Sequence, residues 1–241
     1  MFIAVLADLA KLMLIAAGFY FGLGVYVRNT RPLWTGPLRK RRLIVASLIV
    51  LAVLIADVTE DTIGGDSGPI DGAILQFLHR HVPDTLHGFF GAVTWTGSWN
   101  ALVPLTVLAT LALALAKHRH EALLLFASLT TSALMIYIVK ASVGRERPAL
   151  WATDSYWGSS FPSGHTLIVA SFATAASLCV NRIRPAMRRY AAAIAVVWVF
   201  FVALSRLIIG VHWPTDVLAA ACIGAFIPLA ISIGLEIGKP E

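Results

Sequence analysis

Apolar residues dominate the chain in long runs, at 2–27, 43–58, 101–116, 123–139, 167–180, 191–209 and 217–237, with polar connections between them. Lipid offers no partner for a bare backbone amide, so each run is expected to be a helix. Several runs fall short of the roughly 20 residues that a straight crossing needs, and their ends are expected to draw on flanking residues or on snorkelling Arg and Lys. The longest interval between runs, 64–99, opens on the turn-rich GGDSGPID, where Pro69 and Asp71 suit the opening of a helix. It continues through AILQFLHRHV and LHGFFGAVTWTGSW, whose mixture of aromatic and polar residues predicts segments lying at the membrane surface. The pattern as a whole predicts an all-α polytopic membrane helix bundle, in one membrane domain without an internal repeat.

Composition removes the alternatives. With 58% hydrophobic residues, a mean hydropathy of +0.79 and 13% charged residues, a soluble globular domain of 241 residues is excluded. The formal charge of +6 would suit nucleic acid, but the placement of the cations argues for topology instead. Twelve of the 19 Lys and Arg fall in alternate connections: Arg28, Arg31, Arg39, Lys40, Arg41 and Arg42, then Lys117 and Arg119, then Arg182, Arg184, Arg188 and Arg189. The positive-inside rule makes those connections cytoplasmic, so 59–100, 140–166 and 207–216 face the opposite side, and no nucleic-acid partner is expected. The first run lacks the basic start and cleavage site of a signal peptide and is expected to be retained, with Asp8 and Lys11 close enough along a helix to neutralise each other. Cys179 and Cys222 read as small hydrophobes. His79, His81 and His87 lack Asp or Cys at ligand spacing and read as surface histidines, so no metal or other cofactor is expected.

Three segments on the outer side carry candidate chemistry. KASVGRERP, 140–148, places Lys140, Arg145 and Arg147 where positive-inside bias disfavours them. SSFPSGHT, 159–166, sets Pro162 in position to open a helix, while Ser163 and Gly164 leave little side chain to obstruct its free N–H groups, which makes an anion site with His165 at its edge. In SRLIIGVHWPTDV, 205–217, Arg206 closes one span, Gly210 permits a break, and His212 and Asp216 stand four residues apart across the next helix start. That carboxylate can hold one imidazole nitrogen and leave the other free. Taken singly, each segment has an ordinary reading as snorkelling cations, a turn before a span, or a helix-start acid. Together, at span ends on one face, they form an inventory for phosphoryl transfer without a metal: cations and amides for the equatorial oxygens, one neutral imidazole to attack, and one protonated imidazole to serve the leaving oxygen.

In order, KASVGRERP, PSGH and SRLIIGVHWPTD resemble the three signature motifs of the type 2 phosphatidic acid phosphatase superfamily, with every signature position filled. The resemblance runs directly from Lys140 to Asp216 and by layout through a six-helix phosphatase core from residue 43. It implies two regions, an N-terminal helix with its basic connection at 1–42 and a membrane core at 43–241. It also implies that His212 is a nucleophile forming a phosphohistidine, that Asp216 orients it, and that His165 is the general acid and later the base. Lys140, Arg147, Ser163, Gly164 and Arg206 would bind phosphate. Arg145 is not a signature position and is expected to add positive field or to contact a second phosphate or a headgroup.

The implied substrate is an amphiphilic lipid phosphate or diphosphate, the implied partners are membrane lipids, and the implied site faces the periplasm from a bacterial inner membrane. A phosphotransferase would use the same first step with a lipid acceptor. The superfamily's soluble vanadium haloperoxidases are disfavoured by the apolar spans and by the short 149–161 interval between the first two motifs. A transporter would place charges or broken helices near the bilayer midplane, whereas these cations cluster at span ends. Trp151, Tyr156, Trp157 and Phe161 read as an aromatic belt or as the lining of an acyl entrance.

Overall fold

Charges and glycines punctuate the apolar runs, and the helices begin and end on them. The computed structural model describes residues 2–65, 67–151 and 158–237, with side chains from residue 7 onward, and among these every regular element is helical. Tyr156 and Trp157 lie outside the described residues. The helices are α1 Phe2–Thr30, α2 Thr35–Lys40, α3 Arg42–Gly64, α4 Gly68–His81, α5 His87–Thr96, α6 Trp99–Leu115, α7 Arg119–Val143, α8 Gly164–Ile183, α9 Arg188–Ile208 and α10 Pro214–Ile237, with short 3₁₀ turns between some of them. Among the described residues seven stretches are long and apolar enough to cross a membrane: most of α1, then α3, α5 with α6, α7, α8, α9 with the turn before it, and α10. The protein is an integral membrane bundle. As expected for a short run, 167–180 reaches span length by recruiting its flanks, including Gly164 and His165, into the 20-residue α8.

α8 and α10 are the most enclosed spans, and α8 is packed by α7, α9 and α10. Their contact is built from Leu125, Leu129 and Ile136 of α7, Leu167, Ile168, Val169 and Phe172 of α8, Val202 of α9, and Ala220, Ile223 and Ile227 of α10. Lipid tails are as apolar as these side chains, so close backbone approach takes over from hydrophobic transfer as the reason to associate. Gly224 shows this directly, because a Cβ there would lie 2.4 Å from the Leu167 carbonyl oxygen and 2.7 Å from the Ala170 Cβ. At the basic-loop end, Glu236 of α10 accepts from both Arg41 Nε and Nη2 at 2.8 and 2.7 Å and from Arg182 of α8 at 2.9 Å. This joins α8, α10 and the start of α3 at the end remote from the three motifs. α1 packs along α3.

The interval 64–99 departs in part from its sequence reading. α4 is an ordinary amphipathic helix outside the span-length set, and His79 and His81 on it are exposed, as expected. α5, expected at the membrane surface, instead runs on into α6 and packs along α9. Phe90 is buried, Gly97 sits where a Cβ would meet Val202 and Val169 at 2.8 and 2.9 Å, and the Thr96 hydroxyl accepts from Trp198 Nε1 at 2.9 Å. Small residues and threonine hydroxyls satisfied within the bundle account for the polar appearance of this segment.

Candidate active site

All three motif segments meet at one end of the bundle. The last turn of α7 brings up Lys140, which is buried, and Gly144, with φ of +66°, ends the helix in the left-handed region where glycine is favoured. The chain then leaves the helix, with Arg145 and Arg147 turned inward and Glu146 exposed between them. Lys140 Nζ donates to the Ser159 carbonyl, and Arg147 Nη2 reaches the same oxygen at 3.5 Å. One backbone carbonyl thus holds two like charges side by side.

α8 begins at Gly164, with Ser163 as the residue before it. Ser163 is buried, its N–H donates to the Asp216 carbonyl at 3.2 Å, and its hydroxyl pairs with Thr166 at 3.1 Å, so it makes no side-chain cap. The Leu167 N–H to the Ser163 carbonyl, at 3.0 Å, opens the intrahelical ladder, which leaves the amides of Gly164, His165 and Thr166 for other acceptors. The start of α10 is furnished differently. Asp216 Oδ2 accepts from the Trp213 N–H at 2.9 Å, and Asp71 Oδ1 accepts from the Thr215 N–H at 3.0 Å. Two carboxylates therefore accept from amides at one helix start, while among the described residues the other has amides and cations and no acid accepting from them.

Arg206, 1% exposed near the end of α9, donates from Nη1 to Thr94 of α5 at 2.7 Å. Gly210, with φ of +79°, then breaks the chain beneath Trp151, whose indole is stacked flat on His79 of α4 at 4.1 Å and 9°. His212 follows, 2% exposed, with Nε2 3.4 Å from Arg147 Nη1 and Nδ1 3.5 Å from Asp216 Oδ2. A guanidinium can only donate, so this contact requires a lone pair on Nε2 and places the imidazole proton on Nδ1, toward the carboxylate. The Nδ1 separation is a charge contact, longer than a formed hydrogen bond. Burial pushes the His212 imidazole down to about 4, the Asp216 carboxylate opposes that shift, and Arg206 and Arg147 add to it. His212 is therefore neutral across the ordinary pH range. His165 is half-buried and lies within electrostatic reach of Arg206, His212, Lys140 and Arg147.

Every residue singled out from the motifs is thus present at this end, and Lys140, Arg147, His165, Arg206 and His212 surround the α8 start. Arg145 has partners that the sequence did not indicate. Its Nη1 donates to Asp216 Oδ1 at 2.5 Å and to Thr215 Oγ1 at 2.9 Å, and its Nη2 donates to Asp71 Oδ2 at 2.8 Å. The guanidinium of Arg145 thus stands between two buried carboxylates and links α4 to the start of α10. Asp71 and Thr94 belong to the site without any motif marking them; Asp71 is legible only as an acid in the first turn of α4. Among the described residues no three His, Cys, Asp or Glu side chains are grouped to hold a metal ion.

Residues 121–235 match the sequence model of the PAP2 superfamily. Phosphatidylglycerophosphatase B of Escherichia coli K12 is 35% identical over 108 residues, which cover 43% of this chain and 41% of that protein. Lipid A 1-phosphatase of Rhizobium johnstonii is 30% identical over 119 residues, covering 45% of this chain and 46% of that protein. The chain thus spans less than half the length of these curated relatives. The crystal structure of a transmembrane PAP2-type phosphatidylglycerolphosphate phosphatase from Bacillus subtilis superimposes with a TM-score of 0.70 at 23% identity, covering 81% of this chain and 97% of that one, so the fold is shared.

Proposed function

Because the chain belongs to the PAP2 superfamily, we propose that it is a membrane lipid phosphatase that works through a phosphohistidine on His212, without a metal, at the face opposite the arginine-rich connections. The observation that carries this reading is the 3.4 Å contact between Arg147 Nη1 and His212 Nε2, which supports a lone pair on Nε2 beside a guanidinium able to hold a phosphate oxygen. The phosphoryl group of an amphiphile sits over the amides of Gly164 to Thr166, with Lys140, Arg147 and Arg206 around its oxygens. The His212 Nε2 lone pair forms the P–N bond as the bond from phosphorus to the leaving oxygen breaks, and protonated His165 gives its proton to that oxygen. Asp216 stabilises the cationic imidazole through its Nδ1–H. Water then attacks phosphorus, His165 takes its proton, and the P–N bond breaks to return neutral His212 and free phosphate.

Purified protein in detergent is expected to release inorganic phosphate from lipid phosphates with a chelator present and no lipid acceptor added. His165→Ala is expected to lose about 10²- to 10⁴-fold in kcat, and His212→Ala to fall to background. Full activity in His212→Ala, or dependence on added metal, would refute the reading. Labelled phosphate appearing only on a second lipid would assign the chain to phosphoryl transfer between lipids instead. The outward orientation is tested by labelling a cysteine introduced at exposed Glu146 with a membrane-impermeant reagent in intact cells and in inverted vesicles. Labelling confined to inverted vesicles would overturn it.

A further inference from the structure

We propose that Asp71, on α4 and outside the 121–235 family region, is a positioning residue for the reaction: through Arg145 and Thr215 it holds Asp216 in place and sets how much of that carboxylate's charge His212 receives. The proposal rests on the reading of His212 as the nucleophile.

Asp71 is 1% exposed, and the hydrogen bonds of its carboxylate join it to Thr215 and Arg145. Oδ1 accepts the Thr215 amide at 3.0 Å, and Oδ2 accepts both the Thr215 hydroxyl at 2.6 Å and Arg145 Nη2 at 2.8 Å. Thr215 immediately precedes Asp216 in the first turn of α10. The other arm of Arg145, Nη1, lies 2.5 Å from Asp216 Oδ1, and its guanidinium stands 5.6 Å from the centre of the Trp213 ring. One guanidinium is therefore divided between two buried carboxylates, and only one of them faces the nucleophile. Undivided, Arg145 would neutralise Asp216 and weaken its support for the imidazolium that forms as His212 attacks. Asp71 draws part of that charge away, leaving the Asp71, Arg145 and Asp216 group with one net negative charge beside His212.

Charged and titratable groups reach His212 from the elements around it: Asp216 from α10, Arg206 from α9, His165 from α8 and Arg147 from the α7–α8 connection, while Lys140 of α7 acts on His165 and on Asp216. All but Asp216 are cations or become cationic, so the residual negative charge on the Asp216 side is what favours a proton or phosphoryl group on His212. This fixes the signs. Asp71→Asn keeps an oxygen for the Thr215 amide but removes the charge, so it lowers the proton affinity of His212. Arg145→Gln leaves Asp216 unshared and raises that affinity.

The test is the pH dependence of kcat/KM on a lipid phosphate, followed down through the His212 transition near 4, for wild type, both single variants and the double variant. Substrate ionisation is common to all four and cancels in the comparison. Asp71→Asn is expected to lower kcat about 10- to 100-fold, by analogy with the loss of outer partners of metal-ligating histidines. KM should stay within about threefold, since no substrate contact is lost, and the acid limb should move to lower pH. Arg145→Gln is expected to move that limb to higher pH. In the Arg145→Gln background, Asp71→Asn should cost less than about threefold more, because the route for charge through Arg145 is gone and the asparagine keeps an oxygen for the Thr215 amide. An unmoved acid limb, or losses that multiply in the double variant, would reduce Asp71 to a structural contact and overturn the proposal. If Asp71→Asn does not yield folded protein, the Arg145→Gln arm decides, since a limb that stays or moves down overturns the proposal alone. Activity that survives His212→Ala would instead refute the phosphohistidine reading.

Discussion

A Cβ placed on Gly164 would meet Ile136 Cγ2 at 3.7 Å, an ordinary contact, so the protein around it does not demand glycine at the head of α8. Under the proposed mechanism, the demand comes from a phosphate approaching the amides. Gly164→Ala is expected to keep its thermal unfolding midpoint within about 2 °C, less than a 1 kcal/mol change produces in a chain this size. It should raise KM for a lipid phosphate about 10- to 100-fold, the worth of a charge-assisted hydrogen bond. Unchanged kinetics would mean that the phosphate does not approach these amides. Residues such as Lys140, His165 and His212 were legible in the chain because each lies within a few positions of a helix end. Asp71 was not, since its partners Arg145 and Thr215 lie 74 and 144 residues away, and from sequence alone an acid in a first turn needs no partner beyond the helix dipole.

α8 carries the amides proposed to bind phosphate, and it packs against α10. The 2.4 Å separation between a Cβ on Gly224 and the Leu167 carbonyl falls one turn below Gly164. Gly224→Val is expected to cost about 1–3 kcal/mol by overpacking and to lower activity as α8 shifts. Gly234→Val, on the same helix with nothing within 4 Å of its Cβ, should change neither midpoint nor turnover. Equal behaviour of the two variants would remove the link between this contact and the site. Spans of this kind can be read from apolar length alone, and their number and order were. The course of α5 could not be read that way, because what draws it into the bundle is the fit of Gly97 against Val202 and Val169 and a bond from Trp198 to Thr96. Local polarity, viewed alone, favours the surface.

The whole molecule shares the protonation of its buried imidazole. In the folded protein His212 titrates near 4, pushed down by burial, against about 6.5 in an unfolded chain. Between those values the unfolded chain binds the extra proton. The stability tied to this group is therefore fully present above about 6.5 and is lost as pH falls through 4, with a ceiling of about 3 kcal/mol. Unfolding midpoints in detergent should fall less steeply with acidification for His212→Ala than for wild type, and parallel curves would argue against it.

Trp151 occupies ground that any side chain at Gly210 would claim, for a Cβ there would lie 2.5 Å from the indole, and the same ring carries His79 of α4 on its face. One methyl group at residue 210 would thus evict an aromatic plate and unseat the helix that delivers Asp71. The rim beside the three motifs behaves as a latch, and its keyhole is the missing side chain of a single glycine.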